Sequence, residues 1–232
     1  MKYAFFPGCV SRGGCPELYP AAKLICQRLD IELQEMPGAS CTGAGVLQEK
    51  NEFLGDTLNA RTFAMAEDLG LPIMTICSTC QGVMSQANHR MKSNPEYLAK
   101  VNVELAEEGL EYKGNAEPKH LLWILIEDYG LDKLESLITK PLAGIRLAPF
   151  YGCYILRPTN ALDFEDNPER QNSLERLIET AKLPLMTEGS ARGMVSDEHP
   201  YCFGFFDSGL NRAAQLLREA DVVLVAPATA NI

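Results

Sequence analysis

Three short apolar segments, each followed within a few residues by a cysteine, constrain the fold of this chain more than any other feature. The segments span residues 3–7, 31–36 and 72–76, and the cysteines after them are Cys9, Cys41 and Cys77. Helical patterns at 16–29 and 51–69 separate them. Strands that alternate with helices predict a buried parallel sheet. Parallel strands end at one edge of a sheet, so we expect the three cysteines to lie together there.

The charge and hydropathy of the chain exclude several classes of function. A net charge of −10 argues against nucleic acid as a partner and against binding to an anionic membrane surface. No apolar run reaches the roughly 18–20 residues that a membrane-spanning helix needs. The first residues lack the long apolar segment of a signal peptide. We therefore expect a soluble, cytoplasmic protein without a transmembrane segment.

The chain has eight cysteines, a large number for its 232 residues. Disulfides are rare in the reducing cytoplasm, so metal binding or redox chemistry is the leading explanation for this excess.

The second half of the chain repeats the pattern of the first. Tyr151-Gly152-Cys153 follows an apolar segment at 147–150, as Pro7-Gly8-Cys9 follows the segment at 3–6. Helical patterns at 80–91, 95–108 and 118–129 lie between the halves, and the second half continues with helix and strand patterns at 170–181, 183–186, 210–220 and 221–226. We predict an α/β fold of two pseudo-repeated lobes, each a small, mainly parallel sheet flanked by helices. The predicted domains are residues 1–140 and 141–232.

Cys77 and Cys80 form a Cys-x-x-Cys motif where a predicted strand turns into a helix. The helix N-terminus favours the thiolate over the thiol, and both side chains can face one metal. Three kinds of site use this motif: a thioredoxin-like redox pair, half of a zinc site and half of an iron–sulfur site. A thioredoxin motif is expected after the first strand of a compact domain, whereas this pair follows two earlier strand–helix units.

Cys9 and Cys41 complete a set of four with Cys77 and Cys80. Four cysteines from three loops satisfy an iron–sulfur cluster that needs four thiolates. Zinc also accepts four cysteines, but its structural sites usually come as two close pairs in sequence. The long units between Cys9, Cys41 and the motif favour a cluster over zinc. The remaining alternative is that the four cysteines are unrelated buried side chains.

The same residues resemble a known family. Cys9, Cys41-Thr42-Gly43 and Cys77-x-x-Cys80 resemble the cysteine-rich CCG domain of heterodisulfide reductase B subunits, as do residues 3–9, 119–122 and 151–153. The family includes methanogen subunits and related subunits of type E succinate dehydrogenases and sulfur-oxidising complexes. The resemblance implies an iron–sulfur cofactor and partner subunits, among them another iron–sulfur subunit.

Departures from the family pattern refine this expectation. The catalytic form of the family has Cys-Cys-Gly in the middle motif and binds a noncubane cluster with five thiolates, whereas this chain has Thr42. Four ligands remain, which favours one cubane [4Fe–4S] cluster over the noncubane form. In the second half Cys153 and Cys202-Phe203-Gly204 remain, but Ala228 and Asn231 stand in place of the last cysteine pair. We therefore expect the second lobe to bind no cluster of its own.

Several other residues invite a functional interpretation that is weaker than a structural one. Cys153 and Cys202 could form a thiol pair, with His199 as a further zinc ligand, but we expect both cysteines to be buried relics. Cys15 is a candidate fifth ligand. Residues expected to serve the fold are Cys26 and Trp123 in the core and His120, which we place at a helix start in a hydrogen-bonding role.

The sequence leaves three alternative functions. The leading prediction is an electron-transfer subunit of a soluble heterodisulfide-reductase-like complex, similar to the B1-type subunit of sulfur-oxidising complexes and a relay rather than the site of chemistry. The second is a catalytic B subunit that reduces or forms disulfides or converts sulfur substrates at a noncubane cluster. The third is a non-redox structural subunit with zinc or no metal.

Overall fold

The computed structural model describes residues 1–139, 149, 151–181, 185–188 and 202–206. It contains two compact units. The first comprises Met1–Leu121 and Arg157–Leu162, and the second comprises the described residues of Leu122–Leu156 and those from Asp163 onward. The domain boundary near residue 140 that the sequence suggests stays a prediction.

A four-stranded parallel sheet forms the centre of the first unit, which confirms the predicted α/β class. Its strands are β1 (Lys2–Phe6), β2 (Glu32–Glu35), β3 (Ile73–Thr75) and β4 (Pro118–His120), arranged in the order β2-β1-β3-β4. Every pair is parallel. β1 lies in the interior of the sheet with four of its five residues buried, as its apolar sequence requires.

Helices connect successive strands, and local sequence explains several of their ends. Asn51 and Asn94 each accept a backbone N–H at the start of a helix, and Gly70 ends a helix in the left-handed conformation that glycine adopts without strain. The helices of this unit are α1 (Val10–Gly13), α2 (Leu18–Arg28), α3 (Val46–Lys50), α4 (Glu52–Leu69), α5 (Ser78–Ser93) and α6 (Pro95–Leu105). A 3-10 turn, Ala106–Glu108, follows α6.

The core of the first unit packs α4 and α5 against the sheet. Small side chains on α4, including Ala60 and Ala64, allow close approach to Met84 and Ala87 of α5, and all four are fully buried. This packing fixes the start of α5, where Cys77 and Cys80 lie.

The prediction of one helix over residues 118–129 was wrong at its start. Pro118–His120 is strand β4, paired with Ile73–Thr75 of β3, and α7 (Leu121–Trp123) begins only after it. A three-residue strand has too few positions to show a period of two, so sequence pattern alone could not separate it from the helix that follows.

The second unit begins with a continuous helical segment. α7 continues into a π-helix, Ile124–Gly130, and then into α8 (Leu131–Leu137). Arg170 lies over the Trp123 ring at 4.6 Å from its centroid, and its Nε donates to Glu127 Oε1 at 2.6 Å. Trp123 also packs edge-on against Phe164. The second unit also contains α9 (Cys153–Leu156), a 3-10 turn at Pro168–Asn172 and α10 (Ser173–Thr180). A further 3-10 turn, Thr159–Leu162, belongs to the first unit.

Two parallel strands, β5 (Leu185–Glu188) and β6 (Cys202–Phe206), form a separate small sheet. Cys202-Phe203-Gly204, which the sequence aligns with the family's Cys-Cys-Gly motif, begins β6. Apolar Phe203, Phe205 and Phe206 favour a strand at this position. The elements predicted at 210–220 and 221–226, and most of the apolar segment at 147–150, lie outside the described residues.

Within the part of the chain that the structure describes, no helix combines the length and the apolar character that crossing a bilayer requires.

Candidate metal centre

The strand order creates a crevice at the carboxyl edge of the sheet. From β1 the chain passes to β2 on one side, and β3 then lies on the other side of β1. Ligands of open α/β sheets bind at such a switch point, outside the carboxyl ends of the strands. Gly8 and Cys9 follow β1, and Cys77 follows β3. The sequence-predicted cysteine turns therefore lie at the place where this fold builds binding sites.

Cys77 and Cys80 form a buried pair at the start of α5. Each side chain is only 6% exposed. The Cys80 thiol donates a hydrogen bond to the Cys77 sulfur, and the backbone N–H groups of Cys80 and Thr79 donate to it as well. Together they lower the pKa of Cys77 to about 6, although burial acts in the opposite direction. The pKa of Cys80 is raised, because its proton is held by Cys77. This arrangement supplies one thiolate at neutral pH, the form that binds metals.

Cys9 and Cys41 form a second pair, and both are exposed. They lie close enough for a thiol–thiol hydrogen bond, and partial burial and the neighbouring Cys41 raise the pKa of Cys9. Cys41 also acts electrostatically on Cys80. One inner and one outer pair of cysteines are thus near each other at the same edge of the sheet.

Gly8 lies against the inner pair. Its φ is +76°, and a Cβ there would be 3.2 Å from Cys80 Sγ and 3.5 Å from the Cys77 Cβ. A side chain at this position would fill the space beside the sulfurs, which explains why the turn after β1 carries glycine.

Thr42 directly follows Cys41 and is 2% exposed. Its hydroxyl donates to Cys80 Sγ across 3.9 Å. The loop that carries it is fixed separately: Asn59 Nδ2 on α4 donates to the Thr42 carbonyl at 3.0 Å. The Cys-Thr-Gly motif therefore contributes a sulfur from Cys41 and a hydroxyl from Thr42.

A cavity of about 450 Å³ opens beside the outer pair. It is lined by Cys9, Cys41 and Arg12, among others. Arg12 Nη2 donates to Glu35 Oε2 at 2.9 Å, and Tyr19 and Lys23 also donate to this carboxylate and lower its pKa. Sequence reasoning missed Arg12, because its role depends on Glu35, which belongs to the distant strand β2.

The donor set suits an iron–sulfur cluster. Four thiols and a glycine that leaves room beside Cys80 lie around one crevice. In the described ranges no three His, Cys, Asp or Glu side chains converge as the ligands of a single metal ion do.

The other cysteines that the sequence singled out lie elsewhere or differ from expectation. Cys26 is buried in the core, as predicted, at 1% exposure. Cys15 donates to Glu17 at 3.3 Å and does not line the cavity. Cys153 is exposed at the start of α9, so the prediction that it is a buried relic was wrong. The side chains of Cys202 and His199 lie outside the described residues.

His120 and Trp123 serve the fold. Trp123 is fully buried, as expected. His120 ends β4 rather than opening a helix. Burial lowers its pKa to about 4, and its ring interacts with the carbonyl of Ile76, the residue before Cys77. The predicted hydrogen-bonding role therefore fits its position.

Comparison with known proteins agrees with the geometry. The family model of the CCG cysteine-rich domain matches residues 3–85, which contain all four cysteines of the crevice. The chain is 36% identical over 159 residues to the B subunit of the ferredoxin/F420H2-dependent CoB-CoM heterodisulfide reductase of Methanosarcina acetivorans, an alignment that covers 68% of this chain and 53% of that protein. This chain belongs to the family of heterodisulfide reductase B subunits.

Another match extends the range of relatives of this B-type chain. It is 34% identical over 186 residues to the 8-methylmenaquinol:fumarate reductase membrane anchor subunit of Wolinella succinogenes, covering 79% of the chain and 64% of that protein. The chain thus spans between just over half and just under two thirds of the length of these relatives. Cytoplasmic localisation stays a prediction.

Two further matches concern the fold. A crystal structure of a hypothetical protein from Helicobacter pylori matches with a TM-score of 0.55 at 15% identity, covering 80% of this chain and 41% of that one. The family model of the thiamine pyrophosphate enzyme central domain matches residues 166–231, most of which lie outside the described residues. The interpretation of the second half as a degenerate CCG copy stays a prediction.

Proposed function

We propose that this chain is the iron–sulfur electron-transfer subunit of a heterodisulfide-reductase-like oxidoreductase complex, with one [4Fe–4S] cluster held by Cys9, Cys41, Cys77 and Cys80. The observation that carries the proposal is the meeting of an inner and an outer cysteine pair at the switch point of the parallel sheet. When bound, a cluster of this kind supplies one-electron oxidation and reduction.

The residues around the crevice divide the work of such a site. Cys77 and Cys80 are buried and lie next to Gly8, so water is excluded from that side of the site. Cys9 and Cys41 are exposed and border the cavity, so the other side is open to a partner. Burial on one side and exposure on the other suit a relay, because electron exchange needs close approach and a protected centre needs shielding. The partner would be another iron–sulfur subunit of the complex.

A catalytic role is the second candidate, and the cavity is the observation that favours it. Its volume of about 450 Å³ falls within the usual range of small-molecule sites. This role requires a noncubane cluster with further thiolates, and Thr42 stands where the family's catalytic form has one of them. The second half, in which the last cysteine pair of the motif is missing, resembles the B1-type subunit of sulfur-oxidising complexes. This resemblance supports the relay rather than the catalytic role.

A redox titration followed by EPR distinguishes these functions. For the relay we expect one reduced-state S = 1/2 signal that appears and disappears in a single one-electron step. An unusual signal in the oxidised state would favour the catalytic form. A colourless, iron-free protein after anaerobic purification would contradict both and favour a structural subunit with zinc or no metal.

A further inference from the structure

We propose that the Thr42 hydroxyl sets the reduction potential of the centre by hydrogen bonding to Cys80 Sγ. This inference rests on the proposed iron–sulfur site and adds to it a residue that binds no iron. The contact is 3.9 Å from Oγ1 to Sγ, and Thr42 is 2% exposed.

Residues other than the four cysteines hold the backbone of Thr42 in place. Asn59, itself 1% exposed, donates to the Thr42 carbonyl at 3.0 Å and to the Gly55 carbonyl at 2.7 Å. On the other side of Thr42, Gly43 has a φ of +75° and packs so tightly on α3 that a Cβ would lie 2.9 Å from the Leu47 Cβ. The backbone of Thr42 is therefore held by α3 and α4 and not by the sulfur that its hydroxyl contacts.

The direction of the effect follows from charge. Reduction adds one electron, taken from an external one-electron donor, and makes the sulfurs more negative; no bond breaks and the proton stays on Thr42 Oγ1. A hydrogen-bond donor stabilises the more negative state, and hydrogen bonds to the sulfurs are among the determinants of cluster potentials. Burial strengthens the interaction, because water does not screen it. The hydroxyl therefore raises the potential.

The test compares three substitutions at this position with a matched control. Thr42→Ser keeps a donor, Thr42→Val keeps the shape without it, and Thr42→Ala removes both. Thr62→Val is the control, because Thr62 is equally buried on α4 and its hydroxyl donates to the Leu58 carbonyl instead. Each protein is loaded with its cluster anaerobically, its iron is counted, and its midpoint potential is measured by optical titration with dithionite.

At the midpoint potential of the wild type, we expect the reduced-to-oxidised ratio to fall about three- to tenfold in Thr42→Val and Thr42→Ala, as the loss of one hydrogen bond predicts. Thr42→Ser and Thr62→Val should stay near the wild-type ratio. Equal potentials in all five proteins, with iron content unchanged, would overturn the inference and leave the relay function intact.

Two other outcomes are equally decisive. If Thr42→Val and Thr42→Ala lose their iron while Thr42→Ser retains it, the hydroxyl is needed for assembly of the centre and the inference is wrong. If the wild type itself takes up no cluster, the proposed function fails, and the inference fails with it.

Discussion

Gly8 and Cys80 lie on different strand–helix units, and the space between them is too small for a side chain at position 8. A Cβ on Gly8 would be 3.2 Å from Cys80 Sγ, closer than side chains normally pack. The turn after β1 and the first turn of α5 therefore form a single crevice, and its width depends on the absence of a side chain at position 8.

Replacement of Gly8 should damage the centre beyond its effect on the backbone. Gly8→Ala adds a methyl group beside Cys80 and strains a φ of +76° by about 1–2 kcal/mol. We expect the iron bound per chain to fall by at least half. Gly70→Ala is the control, because Gly70 has a similar φ of +65° but open space around its Cα. An equal loss of iron in both variants would show that strain alone, and not the crowding of Cys80, causes the effect.

Substitution of a proposed cluster ligand should remove the visible absorption, whereas substitution of another cysteine should not. Cys77→Ser or Cys80→Ser should abolish the visible absorption of the cluster, since each removes a thiolate from a site that needs four. Cys15→Ser and Cys202→Ser should leave it intact, because Cys15 donates to Glu17 and the proposed four ligands are complete without Cys202. Absorption spectra of anaerobically loaded proteins measure this. Bleaching by Cys202→Ser would mean that the ligands are assigned wrongly.

An ion pair with a buried carboxylate should hold α4 and α5 together. Asp56 is 2% exposed and accepts two hydrogen bonds from Arg90, at 2.8 and 2.6 Å, and one from Tyr97 at 2.9 Å. Asp56→Ala leaves these donors without their acceptor, and we expect a loss of about 3 kcal/mol in the free energy of unfolding, measured in urea.

The matched control is the exposed pair of Lys2 and Glu32, whose atoms approach to 2.6 Å. Glu32→Ala should cost less than about 1 kcal/mol, because water already solvates both charges. Similar losses in the two variants would contradict the structural role of the Asp56 pair.

The stability of the fold should depend on pH through His120. Burial lowers the pKa of His120 from 6.5 to about 4, so the unfolded chain binds a proton at a pH where the folded chain does not. Its contribution to stability is complete above pH 6.5 and is lost as the pH falls toward 4. Between pH 7 and pH 5 we expect a loss of about 2 kcal/mol from this residue.

Urea unfolding of the wild type and of His120→Gln at pH 7 and pH 5 isolates the effect. The variant has no group to titrate at this position, so its stability should fall less than that of the wild type over this range. Parallel losses in the two proteins would assign the pH dependence to other groups.

The sequence predicted the parts of the fold that leave a long or chemically distinctive pattern. β1, β3 and most helices follow from apolar runs and helical spacing, and Cys77 and Cys80 stand out because their chemistry is rare. β4 was missed, because three residues, one of them Lys119, carry no period of their own.

The site was only partly visible in the sequence, for a different reason. The sheet order that brings the turns after β1 and β3 together depends on tertiary packing, which no local pattern records. For the same reason the contact of Thr42 with Cys80 could not be predicted, and the exposure of Cys153 was predicted wrongly.

Iron and acid-labile sulfide counted on the anaerobically purified wild-type protein test the central claim most directly. A single [4Fe–4S] centre on Cys9, Cys41, Cys77 and Cys80 predicts about four irons and about four sulfides per chain. Protein that is correctly folded yet contains neither, or contains one zinc ion in their place, would contradict this assignment.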